Sequence, residues 1–167
     1  MQTINGERKI RLAFFDVDGV LSAPQYPSGE GDLSIGFTTE NWLAYCEEAR
    51  EDSYMPCRPL PCVKKFASSL KAEGVKLYVL STVFSEYEPA AKKKFIDTHY
   101  PGLFEEYIFV PEDLQKVDAI LRTAEEYGCS PQECVLVEDT YNTLLAAYPH
   151  GITCVHLSNI IAGNISR

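Results

Sequence analysis

No stretch of this sequence approaches the ~20 consecutive apolar residues that a membrane-crossing helix needs, so no membrane association is expected. Six cysteines are present, Cys46, Cys57, Cys62, Cys129, Cys134 and Cys154, but no CxxC pair and no histidine at zinc-ligand spacing accompanies them. That argues against a zinc site and for reduced thiols in core and loop positions. Only Cys57 and Cys62 are near neighbours, and two thiols without further ligands make a weak metal or disulfide pair. Positive charge is scarce: 15 Lys and Arg against 24 Asp and Glu leave a net charge of −9. The resulting field repels polyanions, so nucleic acid is not an expected partner, and a small anionic substrate would need positive charge placed locally. The chain lacks internal repeats and low-complexity tracts. Its first residues, MQTINGERKIRLAFF, run into an acidic motif instead of a small-residue cleavage site, which points to a cytoplasmic protein.

What is present is enough for one domain. A chain of 167 residues buries roughly 70% of its unfolded surface, and 46% hydrophobic residues supply the core. Short apolar runs at 10–15, 75–80, 107–110, 134–137 and 152–157 read as buried strands. Between them, 62–73, 86–98, 112–127 and 141–148 have helical periodicity, each closed by a Gly or Pro. Strands alternating with helices predict right-handed crossovers, hence an α/β, doubly wound, Rossmann-like three-layer sandwich around a parallel sheet of about five strands. The irregular stretch 22–60, rich in Gly and Pro, is an insertion after the first strand and not a linker. Within it Leu33, Ile35 and Phe37 alternate like a short strand, and Thr39 is the expected cap of a helix whose Trp42, Leu43, Cys46 and Ala49 share a face.

The segment FFDVDGVL ends the first strand with two acids, Asp16 and Asp18. Strand C-termini are where open α/β sheets build their sites. Two carboxylates there repel each other and lose hydration, at a cost of several kcal/mol unless they are compensated. A divalent cation compensates them, and aspartate oxygens suit Mg²⁺, which keeps positions for water and phosphate. A bare acid pair beside Gly19 is also what a plain turn looks like. Ser81 after LYVL, Lys116 in LQKVDAIL, and Glu138 and Asp139 ending CVLVED are each ordinary when read alone: a turn residue, a solvated charge, a helix cap.

Taken together and in this order, the four segments resemble the motifs of the haloacid dehalogenase (HAD) superfamily across nearly the whole chain. The resemblance implies a single domain over 1–167, with 22–60 as a flap or small cap, because the stretch between Thr82 and Lys116 has no room for a larger one. It implies that Asp16, Ser81 and Asp139 meet at the switch point of the sheet, with the first strand central between the second and fourth. It also implies a Mg²⁺-dependent phosphatase acting on a small phosphorylated metabolite. Asp16 would be the nucleophile, forming an aspartyl-phosphate, and Asp18 the acid and then base. Ser81, with Thr82 as the weaker candidate, and Lys116 would bind the phosphoryl group. Asp16, the Asp18 backbone carbonyl, Asp139 and, directly or through water, Glu138 would hold the metal. Asp18 favours phosphoryl chemistry over carbon–halogen cleavage. A phosphotransferase or phosphomutase uses the same residues. A non-catalytic metal-binding member is opposed by the intact acids and Lys116, and a receiver-like phosphoacceptor by the order of the motifs.

Overall fold

The computed structural model describes residues 2–3, 9–27, 33–34, 36–163 and 165–166. Five parallel strands form the central sheet: β1 (Leu12–Phe15), β2 (Lys76–Thr82), β3 (Glu106–Val110), β4 (Cys134–Glu138) and β5 (Thr153–His156). Their order is β5-β4-β1-β2-β3, so the first strand is central between the second and fourth, as the resemblance implied. All four residues of β1 are buried because both of its faces are covered. Ala13 and Phe15 point into one apolar cluster with Val63, Phe66 and Leu70, and Leu12 and Phe14 point into the other with Val117, Ile120 and Leu144.

The flanking helices are α2 (Pro61–Ala72), α3 (Glu88–His99), α4 (Gln115–Glu126) and α5 (Tyr141–Ala147), preceded in the insertion by α1 (Thr39–Ala49). In α2 the buried residues Val63, Phe66, Ala67 and Leu70 recur at helical spacing behind a first-turn proline, and Gly74, at φ +84°, ends the run. Each strand and helix expected for the central sandwich is present with ends moved by a few residues. The largest difference is at the C-terminus, where the strand stops at His156 and Leu157–Ile161 forms a short helix, α6, whose Ile160 is buried. The strand β2 also runs two residues further than its apolar pattern and carries Ser81 and Thr82 as its last residues.

The insertion is closed at its base by an antiparallel pairing of Ser22–Ala23 with Arg58–Pro59, and Tyr26–Pro27 pairs with Leu33–Ser34; of the expected strand, Ile35 lies outside the described residues and Phe37 is in no strand, its ring packing instead on Tyr45. Two details of its helix differ from expectation. Thr38, not Thr39, is the cap and accepts a hydrogen bond from the Asn41 amide. Leu43 is exposed; the inward side carries Trp42, Tyr45 and Cys46, because the helix packs against Tyr26 and Tyr54 through rings. All six cysteines are free. Among the described residues, no helix is long and apolar enough to cross a membrane.

Candidate active site

The parallel register brings the C-terminal ends of β1, β2 and β4 level, and the acids and Ser81 stand at that edge. Asp16 follows β1 directly, its amide donating to the Val137 carbonyl at 3.1 Å. With Asp18, Ser81, Thr82, Lys116 and Asp139 it lines a cavity of about 380 Å³. All the residues expected to form the site except Glu138 therefore border one cavity, and Glu138 is buried in contact with Lys116.

Lys116 is 1% exposed, so it is no solvated surface charge. Its ammonium lies 2.8 Å from Glu138 Oε2, 3.1 Å from Asp16 Oδ1 and 3.4 Å from Asp113 Oδ1. Burial alone would lower its pKa, but the carboxylates of Asp16 and Glu138 raise it, so it stays charged. Asp16 is 6% exposed; burial, reinforced by the negative charge of Glu138 and opposed by Lys116, pushes its carboxyl up to about 7. Its Oδ1 is buried and, despite the nearby Lys116, has no aligned hydrogen bond. Glu138 is fully committed: Oε2 takes the Lys116 ammonium, and Oε1 accepts the amides of Asp139 and Thr140 at 3.0 and 3.1 Å. Carboxylate oxygens of Asp16, Glu138 and Asp139 lie within 4.8 Å of one another. Hard oxygen donors at that spacing, one of them without a hydrogen-bond partner, fit a Mg²⁺ ion.

Asp18 faces the cavity differently. Tyr54 Oη donates to its carboxylate at 2.9 Å, Tyr26 Oη at 3.2 Å, and Lys92 Nζ lies 2.9 Å from Oδ2. Burial would raise the Asp18 carboxyl, but the charge and hydrogen bonds of Lys92 and the two tyrosines hold it below its ordinary value. Lys92, also 1% exposed, donates to Ser81 Oγ at 2.9 Å and to the Thr82 carbonyl, and pairs with Glu88 at 3.4 Å. Glu88 in turn accepts the Trp42 indole N–H at 2.9 Å and the amides of Phe84 and Ser85 at 2.8 Å.

Residues 27–151 match the model of the haloacid dehalogenase-like hydrolase family. The chain belongs to this family. Among curated proteins, the HAD-like chain is 29% identical over 113 residues to "Putative phosphatase YhcW" of Bacillus subtilis (strain 168), covering 63% of this chain and 48% of that one. It thus spans about half the length of the curated relative it matches. In fold it is similar to a "predicted phosphoglycolate phosphatase" from Haemophilus somnus 129PT (TM-score 0.59, 17% identity, 91% of this chain and 89% of that one). It is also similar to a HAD family enzyme from Bacteroides thetaiotaomicron solved with magnesium and inorganic phosphate (TM-score 0.53, 14% identity, 88% and 93% covered).

Four residues that shape this HAD site were absent from the sequence reading: Lys92, Glu88, Tyr26 and Tyr54. Lys92 and Glu88 did leave a signal, being four apart on the same face as Ala91, Phe95 and Ile96, where charges are not expected. Tyr26 sits in a two-residue strand and Tyr54 in a turn, neither long enough to show a period, and only the folded insertion brings them to Asp18.

Proposed function

We propose that this chain is a Mg²⁺-dependent phosphomonoester hydrolase that turns over through an aspartyl-phosphate on Asp16. The observation that carries the reading is the convergence of a buried, under-bonded Asp16 carboxylate, the Lys116 ammonium, the Ser81 hydroxyl and Asp139 on one cavity. Asp16 and Asp139 are the side chains that would hold the metal. Glu138, with both oxygens already engaged, would orient Lys116 and the Asp139 backbone. When bound, Mg²⁺ would neutralise charge on the phosphoryl oxygens and on the clustered carboxylates.

The protein's own groups do the rest. An Asp16 oxygen attacks phosphorus, the ester P–O bond breaks, and the leaving alkoxide takes a proton. Water then attacks the acyl phosphate, gives its proton to a base and releases inorganic phosphate with Asp16 restored. Lys116 stabilises charge on the phosphoryl group, and because Ser81 Oγ accepts its hydrogen bond from Lys92, its own proton is free for a phosphoryl oxygen. Asp18 rests as a carboxylate, poised for the base half; to serve as acid in the first half it must loosen its contact with Lys92. The 22–60 insertion acts as a small cap on the single domain, reaching Asp18 through Tyr26 and Tyr54.

The test is hydrolysis of a generic aryl phosphate with Mg²⁺ and with excess chelator, by wild type and Asp16→Asn. Activity is expected only in the wild type with metal, together with an acid-stable but hydroxylamine-labile phosphoprotein. Turnover by Asp16→Asn above a few per cent of wild type would sink covalent catalysis at that residue, and full activity in chelator would sink the metal requirement.

A further inference from the structure

The cavity is lined by two kinds of residue. The carboxylates, Ser81 and Lys116 are one; rings from the insertion and from the loop after β2, chiefly Phe37, Trp42 and Phe84, are the other. Resting on the phosphatase reading, we propose that the alcohol released by this enzyme bears a flat, neutral ring, a nucleobase or an aryl group, which seats against Phe37, Trp42 and Phe84.

Three observations carry this. First, the rings are held from behind and stay partly open. The Trp42 indole N–H is fixed on Glu88, and Phe37 stacks on Tyr45 at 5.3 Å and 22°. Both are only half-buried and both line the cavity. Phe84 is 62% exposed although its backbone amide is pinned to Glu88, and none of the ring pairs among the described residues includes it. An exposed phenyl and two half-open rings lining one cavity of about 380 Å³ offer apolar faces on which a flat ring can stack. Second, the described lining residues offer an anionic leaving group little to bind. Lys116 is the one cation among the described lining residues, and three carboxylates already surround it. Glu88 and Asp113 line the same space with negative charge. A carboxylate or second phosphate on the alcohol would therefore be repelled, whereas a neutral ring would not. Third, stacking on aromatic side chains tolerates any flat ring, so it predicts a class of substrates and not one member.

The test compares kcat/KM, with Mg²⁺, for nucleoside 5′-monophosphates, benzyl phosphate, ribose 5-phosphate and phosphoglycolate. Each ester releases a primary alcohol, so they differ in what the alcohol carries and not in the bond broken. At least one ring-bearing ester is expected to exceed ribose 5-phosphate by about 5- to 100-fold, with phosphoglycolate poorest. Nucleotides leading would assign the seat to a nucleobase, and benzyl phosphate leading would assign it to an aryl group. Phe84→Ala should draw the ratio of the preferred ester to ribose 5-phosphate toward one. A second readout needs no turnover: Trp42 is the chain's single tryptophan, so the corresponding nucleoside or benzyl alcohol should quench its fluorescence saturably, and less so in Phe84→Ala. Saturable quenching without hydrolysis of any ester would overturn the phosphatase reading and uphold the ring seat. Hydrolysis with ribose 5-phosphate or phosphoglycolate preferred, or with equal rates for all and no quenching, would overturn the ring seat and uphold the phosphatase.

Discussion

At the scale of single residues, the two acids of the first motif have opposite surroundings. Asp16 is buried, and burial with the negative charge of Glu138 outweighs Lys116 and raises its pKa; Asp18 is surrounded by donors, Lys92, Tyr54 and Tyr26, which lower it. Pairs of carboxyls pushed apart in this way are how one site obtains two roles from the same side chain. A depressed carboxyl is ionised above its pKa and loses that form as pH falls through it. Tyr54→Phe removes a donor to both Asp18 oxygens, so the pKa of Asp18 should rise and the acid limb of the kcat profile should move to higher pH, with the alkaline plateau little changed. A profile measured across the acid and neutral range checks this; an unmoved acid limb would mean that Asp18 is not the group whose ionisation limits turnover.

At the scale of elements, the turn after β1 is the tightest constraint in the site. Gly19 has φ +77°, a left-handed conformation that suits glycine, and a Cβ built there would stand 1.9 Å from Asp139 Oδ2. The first and fourth motifs are therefore in van der Waals contact, and a side chain on one displaces the carboxylate of the other. Gly19→Ala should leave the protein folded yet lower the phosphatase rate on the order of 100-fold by misplacing Asp139. Gly74→Ala is the control: its φ is +84° but no atom lies within 4 Å, so it should cost only the left-handed strain, ~1–2 kcal/mol, and spare the rate. Thermal melts beside rate measurements on the two variants separate strain from displacement. Equal rates in both would place Asp139 outside the reaction.

At the scale of the whole molecule, the site is a stored destabilisation. Burial raises the pKa values of Asp16, Glu138 and Asp139 together, so the folded metal-free protein binds more protons than the unfolded chain. For a carboxyl raised in the folded state, stability is fully present below the unfolded pKa and is lost as pH rises through the folded one. In chelator the Tm of the wild type should therefore fall from about pH 4 to about pH 7, the window set by Asp16. Asp16→Asn should flatten part of that fall, and Mg²⁺ should restore the wild type by mass action. Calorimetry across this range checks the sign; a wild type and a variant falling in parallel would mean that Asp16 does not titrate there. The central parallel sheet and the strand-end acids were legible in the amino-acid sequence, because strands alternating with helices are local patterns repeated along the chain; the strand order and the linking of the four motif segments came from the family resemblance. Lys116 was singled out only by the family resemblance, and its burial was not legible, since a lysine inside a helix reads as solvated until its carboxylates are brought to it. What only the tertiary structure decided is the non-local half of the site. The ring wall around Phe37 and Trp42, the Tyr26 and Tyr54 donors on Asp18, and the Glu88–Lys92 pair all come from an irregular insertion or from a helix face whose partners lie far away in sequence, and no period along the chain encodes such contacts.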